Sequence, residues 1–234
     1  MISVCIATYN GEKYIEEQLL SILKQLGETD EIIISDDGSK DKTLALAKNL
    51  DSRIKIVYNT KERGYTKNFE NAISNANGDY IFLSDQDDVW VDNKVEIMMS
   101  YLKSFDLVIS DAEVCNSILE KTGVTYHSVR GGKGGFLNNF YKIRHIGACL
   151  AFRSSMNSKL LPFPKNQKLF THDTWIPLMG ELYYKTKVIK DPLVLYRRHE
   201  TNTSRGTGPS VNSLFLKLKI RFYTLFSLLG RIGK

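Results

Sequence analysis

The 234-residue chain predicts an α/β domain: a central, mostly parallel sheet flanked by helices, followed by a C-terminal amphipathic helix. Three observations predict it. Short β-branched runs alternate with helical hydrophobic periods through the first half, the rhythm of βαβ units with right-handed crossovers. Carboxylates gather directly after two of these strands, on the edge where parallel sheets hold ligands. The composition agrees, with 42% hydrophobic, 25% charged and 11% aromatic residues, enough to bury a core and to exclude disordered or fibrous classes. Length favours one compact domain, expected over residues 1–205, with a basic tail over 206–234.

The elements follow in order. Residues 4–8 read as a strand, and Asn10-Gly11 turns the chain into a helix whose Ile15, Leu19, Ile22, Leu23 and Leu26 recur at helical spacing. Residues 31–35 (EIIIS) form a second strand that ends in Asp36-Asp37-Gly38-Ser39. Ser39 and Asp41 are candidate caps for a helix over 44–50. A third strand is expected over 54–58, a third helix over 68–76, and a fourth strand over 80–84 (YIFLS) that runs into Asp85-Gln86-Asp87-Asp88. Beyond this the pattern loosens. Strands are expected at 107–110, 148–153, 188–190 and 193–198, and a helix over 175–184. The GGKGG stretch at 131–135 reads as a mobile loop, either a lid ordered by ligand or a surface connection. It lacks the GK[ST] and strand–loop–helix context of a phosphate-binding loop.

Charge separates body from tail. Residues 200–234 hold Arg205, Lys217, Lys219, Arg221, Arg231 and Lys234 against Glu200 alone, so most of the net +6 lies there. A nearly neutral body does not fit a nucleic-acid binder, whose positive surface belongs on the folded domain. Over 214–229, Lys217, Arg221 and Thr224 fall on one helical stripe, and Leu218, Phe222, Leu225, Phe226 and Leu229 on the opposite one. Spanning a bilayer takes about 20 apolar residues in a row. The pattern instead suits a helix lying on an anionic membrane surface, although Lys219 sits on the apolar side. The alternative is a helix packed on its own domain. Cys5, Cys115 and Cys149 are scattered, with no CxxC spacing, which argues against a disulfide framework or thiolate zinc site. No basic stretch followed by an apolar run opens the chain, so a cytoplasmic protein, peripheral at the inner face of the cell membrane, is expected. The Asn202-Thr203-Ser204 sequon carries no weight in that compartment.

The acids need a physical reason. Three carboxylates within four residues repel one another and raise each other's pKa. A hard divalent cation relieves this, and Mg²⁺ commonly takes one or two protein carboxylates together with substrate phosphate oxygens. Asp85 and Asp87 are therefore read as functional. Asp88 and Asp92 are equally well read as caps of a helix beginning near Lys94.

Taken together, Ala7-Thr8-Tyr9-Asn10-Gly11-Glu12, Ser35-Asp36-Asp37-Gly38-Ser39 and 78–90 (GDYIFLSDQDDVW) resemble the family 2 glycosyltransferases of the GT-A fold, the Rossmann-like nucleotide-diphospho-sugar transferases. The TYNGEKY and SDQDDVW forms are similar to a bacterial subgroup rich in rhamnosyltransferases of surface-polysaccharide assembly. Many members of the family carry Pro where this chain has Ala7. The resemblance implies that Thr8 and Tyr9 line the base pocket, with Tyr9 stacking on uracil or thymine. It implies that Asp37 accepts the base N3–H, that Asp85 bonds the ribose, and that Asp87 ligates Mn²⁺ or Mg²⁺ bridging the diphosphate. Lys67 is either a second phosphate contact or an exposed lysine at a helix start.

Thr171-His172-Asp173-Thr174-Trp175 resembles the family's E-D or H-D motif, whose Asp is the general base. An inverting transfer needs such a carboxylate to take the acceptor hydroxyl proton. The other reading of Asp173 is an N-cap; His172 is expected to orient the segment. Tyr196-Arg197-Arg198-His199 is similar to a late Y-R-x-H motif, which implies His199 as a metal ligand and Arg197 or Arg198 near phosphate. Asp111 and Gly147-Ala148-Cys149 either border an acceptor pocket or simply pack. The expected partners are a dTDP- or UDP-linked sugar donor and a lipid-linked glycan acceptor, and no nucleic acid. Two other classes compete: a non-catalytic nucleotide-sugar-binding scaffold, and a nucleotidyltransferase. The latter would carry a Gly-rich basic loop where this chain has Thr8-Tyr9-Asn10-Gly11.

Overall fold

A computed structural model describes residues 1–60, 62–142, 144–200, 202 and 213–232. The 205/206 boundary and the sequon's Thr203 and Ser204 lie outside the described residues. The first half follows the expected rhythm: β1 (Ile2–Thr8), α1 (Ile15–Leu23), β2 (Glu31–Asp36), α2 (Thr43–Leu50), β3 (Ile54–Tyr58), α3 (Tyr65–Ser74) and β4 (Tyr80–Asp85). Then come β5 (Val89–Trp90), α4 (Lys94–Leu102), β6 (Leu107–Cys115), β7 (Lys121–Thr125), α5 (Tyr126–Arg130) and α6 (Phe136–Tyr141). The chain continues through β8 (Leu150–Arg153), α7 (Asn157–Leu160), α8 (His172–Tyr183), β9 (Thr186–Arg197) and α9 (Leu214–Leu229).

The sheet runs in the order β3-β2-β1-β4-β8-β6-β9-β5, with β7 beside β6. β1 to β4 pair in parallel, and so do β6 and β9. β8 is antiparallel to both β4 and β6. Because side chains alternate along a strand, Val4 and Ile6 enter the core on one face of the sheet and Cys5 the core on the other. Ile32 and Ile34 are divided from Ile33 in the same way. Strands buried on both faces read as continuous apolar runs, which is why β1, β2 and β4 are visible in the sequence, while β3 is a half-exposed edge strand.

Register positions the site. Thr8 lies opposite Asp36, and Ala7 opposite Asp85. Both acidic loops therefore leave the sheet at the level where β1 ends.

The later half departs from expectation at three points. The strands at 188–190 and 193–198 are one strand, β9, whose pairing with β6 shifts register around Asp111. Residues 148–153 divide into a 3₁₀ turn, Gly147–Cys149, and β8. The 131–135 stretch is bonded: Gly131 is the left-handed cap of α5 (φ 75°), and the Gly135 N–H donates to Glu181.

The tail helix packs on the domain. Its polar stripe faces inward: Thr224 and Leu228 are buried, and Arg221 donates to the Tyr141 carbonyl. Arg231, just past the helix, is buried, donates to the Leu161 and Pro162 carbonyls and lies over the Trp175 ring. Orphan carbonyls of the domain thus draw in the basic side chains. The apolar stripe is left outside, with Phe215 78%, Phe222 60% and Phe226 68% exposed.

Candidate active site

A cleft of about 1490 Å³ opens along the carboxyl edge of the parallel strands. Thr8, Tyr9, Asp37, Asp85, Asp87, Asp173 and His199 all line it, so seven of the eight expected site residues converge. They come from the ends of β1, β2, β4 and β9 and the first turn of α8.

At the ends of β1 and β2, Thr8 is buried and donates to Asp36 (3.0 Å). Asp36 also accepts the Gly38 and Ser39 N–H groups at 2.8 Å, which shapes the Asp-Asp-Gly-Ser turn. Gly38 sits there at φ 89°, a conformation costly for side-chain-bearing residues. The turn aims Asp37 into the cleft, where its carboxylate accepts from Asn59 (2.6 Å) and the Gly64 N–H (2.7 Å). Tyr9 presents an exposed ring. Ser39 donates to Asp36 rather than capping α2, whereas Asp41 accepts the Thr43 N–H at 3.0 Å and does serve the helix start.

Gln86 was not foreseen. Its side-chain oxygen accepts the Tyr9 N–H at 2.9 Å and its amide donates to the Tyr9 carbonyl at 3.1 Å. The residue between the acids thus stitches the loop after β1 to the acidic loop. Its place inside the Asp-Gln-Asp-Asp motif was the available signal.

In the acidic loop, burial first, and then the neighbouring charges of Asp87 and Asp173, push the Asp85 carboxyl up to about 7. Asp87 meets His199 Nε2 at 2.8 Å through Oδ2, which also accepts from Asn202 at 3.1 Å. The His199 ring is backed by Tyr14, with centroids 4.8 Å apart, and Arg197 lies over the other partner ring, 4.6 Å from the Tyr14 centroid. Asp88 does not cap α4. It is buried, accepts the Arg197 N–H at 3.0 Å through Oδ1, leaves Oδ2 without a partner among the described residues, and has its pKa raised by burial. Asp92 pairs with Lys24 instead, and Asn93 occupies the α4 cap position.

A buried cation that sequence gave no sign of stands behind these acids. Lys94 is fully buried, donates to the Ala148 carbonyl at 2.6 Å and lies over Trp90, with burial lowering its pKa to about 8. It offsets part of the negative charge of Asp85 and Asp88.

The donor set fits a hard divalent cation. Asp87, His199 and Asn202 bring carboxylate, imidazole and amide donors to one point. Among the described residues no three His, Cys, Asp or Glu side chains form a complete cage. A cation there would draw its remaining oxygens from phosphate and water, as Mg²⁺ commonly does.

Two expectations need correction. Lys67 does not reach the cleft: it is buried on α3, with Nζ donating to Glu70 and to the Phe163 carbonyl (3.3 Å). It is neither a phosphate contact nor an exposed lysine, because the Glu70 carboxylate beneath the helix holds it inward. Arg197 is likewise structural, donating to the Asp87 and Ser117 carbonyls and pairing with Glu17. Arg198 lines the cleft.

On the opposite wall, Asp173 lies in the first turn of α8 and accepts from the Thr171 hydroxyl, while Thr171 holds the cap position. Tyr65 and Tyr126 are held above the ordinary phenol range by burial and then by the Asp173 charge. Gly147 lines the cleft, whereas Asp111 is buried behind it, accepting the Ala112 and His127 N–H groups at 2.8 Å.

Comparison with known proteins agrees with this geometry. Among solved structures, the chain superposes on Staphylococcus aureus TarS 1–349 in complex with UDP-GlcNAc at TM-score 0.76 and 18% identity, covering all of this chain and 68% of that one. A mannosyltransferase from Pyrobaculum calidifontis in complex with GDP-Man and Mn²⁺ superposes at TM-score 0.61 and 20% identity, over 83% of this chain and 56% of that one. These likenesses establish the GT-A fold, in which solved neighbours carry nucleotide-sugar donors and Mn²⁺.

Among curated relatives, an uncharacterized glycosyltransferase of Haemophilus influenzae is 27% identical over the whole chain and 76% of its own length. The dTDP-rhamnosyl transferase RfbG of Shigella flexneri is 28% identical, over 84% of this chain and 72% of its own. Residues 3–161, which carry every strand from β1 to β8, match the family described as Glycosyl transferase family 2, and the chain belongs to that family of glycosyltransferases.

Proposed function

We propose that the protein is an inverting, metal-dependent glycosyltransferase acting on a lipid-linked glycan in bacterial surface-polysaccharide assembly, with L-rhamnose from dTDP-rhamnose as the leading donor. UDP-galactose, UDP-glucose and UDP-N-acetylglucosamine are the alternatives. One observation carries the reading: Asp85 and the Asp87–His199 pair line the same cleft as Asp173. Similarity to RfbG supports rhamnose.

In this reading Tyr9 stacks on the base, Thr8 and Asp37 border it, and Asp85 bonds the ribose. Asp87, His199 and Asn202 hold Mn²⁺ or Mg²⁺, which would stabilise charge on the departing diphosphate. Asp173 accepts the proton of the acceptor hydroxyl as its oxygen bonds to the anomeric carbon. The bond from that carbon to the diphosphate breaks, its electron pair leaves with the nucleotide, and configuration inverts. The raised pKa of Tyr65 and Tyr126 keeps both phenols neutral beside Asp173.

A thermal-shift screen of UDP-, dTDP- and GDP-sugars with Mn²⁺ or Mg²⁺ tests the donor class, since a ligand stabilises in proportion to its binding. Selective, metal-dependent stabilisation by a dTDP- or UDP-sugar is expected. Selective stabilisation by a GDP-sugar rejects the base assignment.

For the tail, the reading is a peripheral contact with the anionic inner face of the cell membrane. No helix among the described residues is long and apolar enough to cross a membrane. Exposed Phe215, Leu218, Phe222 and Phe226, next to Lys217 and Lys219, support a helix lying on lipid.

A further inference from the structure

We infer that His172 binds a hydroxyl of the transferred sugar and so contributes to donor-sugar selectivity; this rests on the glycosyltransferase reading above. The imidazole is 3% exposed, and neither Nδ1 nor Nε2 has a hydrogen-bond partner among the described residues. Buried polar atoms are seldom left unpaired, and those that are call for an explanation such as a ligand.

The ring is held firmly. It stacks at 4.2 Å on Phe69 and meets Tyr65 edge-on at 5.7 Å. Those contacts fix its plane and satisfy neither nitrogen.

His172 and Gly147 both line the cleft, and a side chain on Gly147 would collide with His172 Nε2. Only glycine lets the backbone pass this close to the ring without displacing it. The same cleft offers a second buried acceptor without a partner among the described residues, Asn68 Oδ1, whose amide nitrogen donates to the Thr8 carbonyl at 3.1 Å.

Chemistry narrows the ligand to a hydroxyl. Burial holds the His172 pKa below the ordinary histidine value, so the ring is neutral at physiological pH, with one donor and one acceptor nitrogen. A neutral ring next to Asp173 is a poor site for phosphate, whereas a hydroxyl can both donate and accept. His172 immediately precedes the residue assigned as base, and so lies where the sugar rather than the nucleotide must sit.

The test compares nucleotide-sugar with nucleotide binding in wild type and His172→Phe, by calorimetric titration with Mn²⁺. The probe is the tightest binder among dTDP-rhamnose, UDP-glucose, UDP-galactose and UDP-N-acetylglucosamine, against its own nucleoside diphosphate. Phenylalanine keeps the ring stack and removes both orphan atoms, so the ligand-free melting temperature is expected to hold or rise. Affinity for the nucleoside diphosphate should stay within about twofold, while affinity for the nucleotide-sugar drops about tenfold, as one lost hydrogen bond predicts. Unchanged nucleotide-sugar affinity in the variant overturns the proposal. Should the variant fail to fold, the imidazole nitrogen NMR shifts of the wild type decide: they must move on adding nucleotide-sugar and not on adding the diphosphate alone. Shifts that ignore the sugar overturn the proposal. A wild type that binds no nucleotide-sugar sinks the glycosyltransferase reading itself, a separate failure.

Discussion

At the cleft, charge is held where water is scarce; along the outer face of α9, large apolar side chains are held where water is abundant. The two regions break the usual partition of side chains in opposite senses, and their surroundings differ. The acids are partly countered from within, since Lys94 is buried beside Asp85 and Asp88. The fold itself therefore bears much of the cost of gathering negative charge, as a pre-formed cation site requires. On α9 the polar residues are used up on the domain, and no described residue covers the outer stripe. That face looks outward for its partner.

The sharpest way to break this contrast is at the base. Asp173→Asn should lower transfer by about 10³-fold, within the usual range for losing a general base, while calorimetric affinity for donor and Mn²⁺ stays near wild type. Asp87→Asn should abolish transfer and weaken metal-dependent nucleotide binding as well. Retained turnover in the Asp173 variant rejects it as base.

Next in size is a control on buried charge that has no part in the cleft. Lys67→Met removes the Lys67–Glu70 pair, whose side chains are 10% and 4% exposed; breaking such a buried pair costs about 3 kcal/mol. Chemical denaturation should show that loss, while the donor affinity of the folded fraction is unchanged. Weaker donor binding would return Lys67 to the site.

A subtler measurement is pH-dependent stability. Burial lifts the Asp85 carboxyl of the folded protein to about 7, above the ordinary aspartate value of 3.8. The native state then holds a proton the unfolded chain has released, so the Asp85 contribution is full below pH 4 and is lost as pH rises towards 7. Asp85→Asn should remove this part of the decline in metal-free protein, and saturating Mn²⁺ should oppose it in the wild type. Parallel denaturation profiles for wild type and variant would disprove the shift.

The smallest effect on the fold is expected on α9. Phe222→Glu with Phe226→Glu should change stability by less than about 0.5 kcal/mol, yet abolish co-sedimentation with phosphatidylserine vesicles. A soluble wild type that ignores such vesicles would leave the stripe to a protein partner.

What was legible in the sequence follows the same physics. Strands β1, β2 and β4 are buried on both faces, so Val4–Cys5–Ile6 and Ile32–Ile33–Ile34 announce themselves as apolar runs, and the acids stand directly after β2 and β4. β9 was read as two strands because Asp191-Pro192 interrupts its apolar pattern, yet its exposed middle tolerates them. β5 was missed because two residues carry no period. Lys67 and Lys94 share a residue type and a helix-start position, and only tertiary contacts show that both are buried and what each one faces. The orientation of α9 was invisible for a related reason: periodicity separates two stripes but does not say which one the domain will claim.

Gln86 ties Tyr9 to the acidic loop through both backbone groups of that residue. On the proposed reading, the loop that would meet the nucleobase and the one that would meet the pyrophosphate are in effect a single jaw. A displacement forced on either would be transmitted to the other, so recognition of the base and alignment of the leaving group would be mechanically one event.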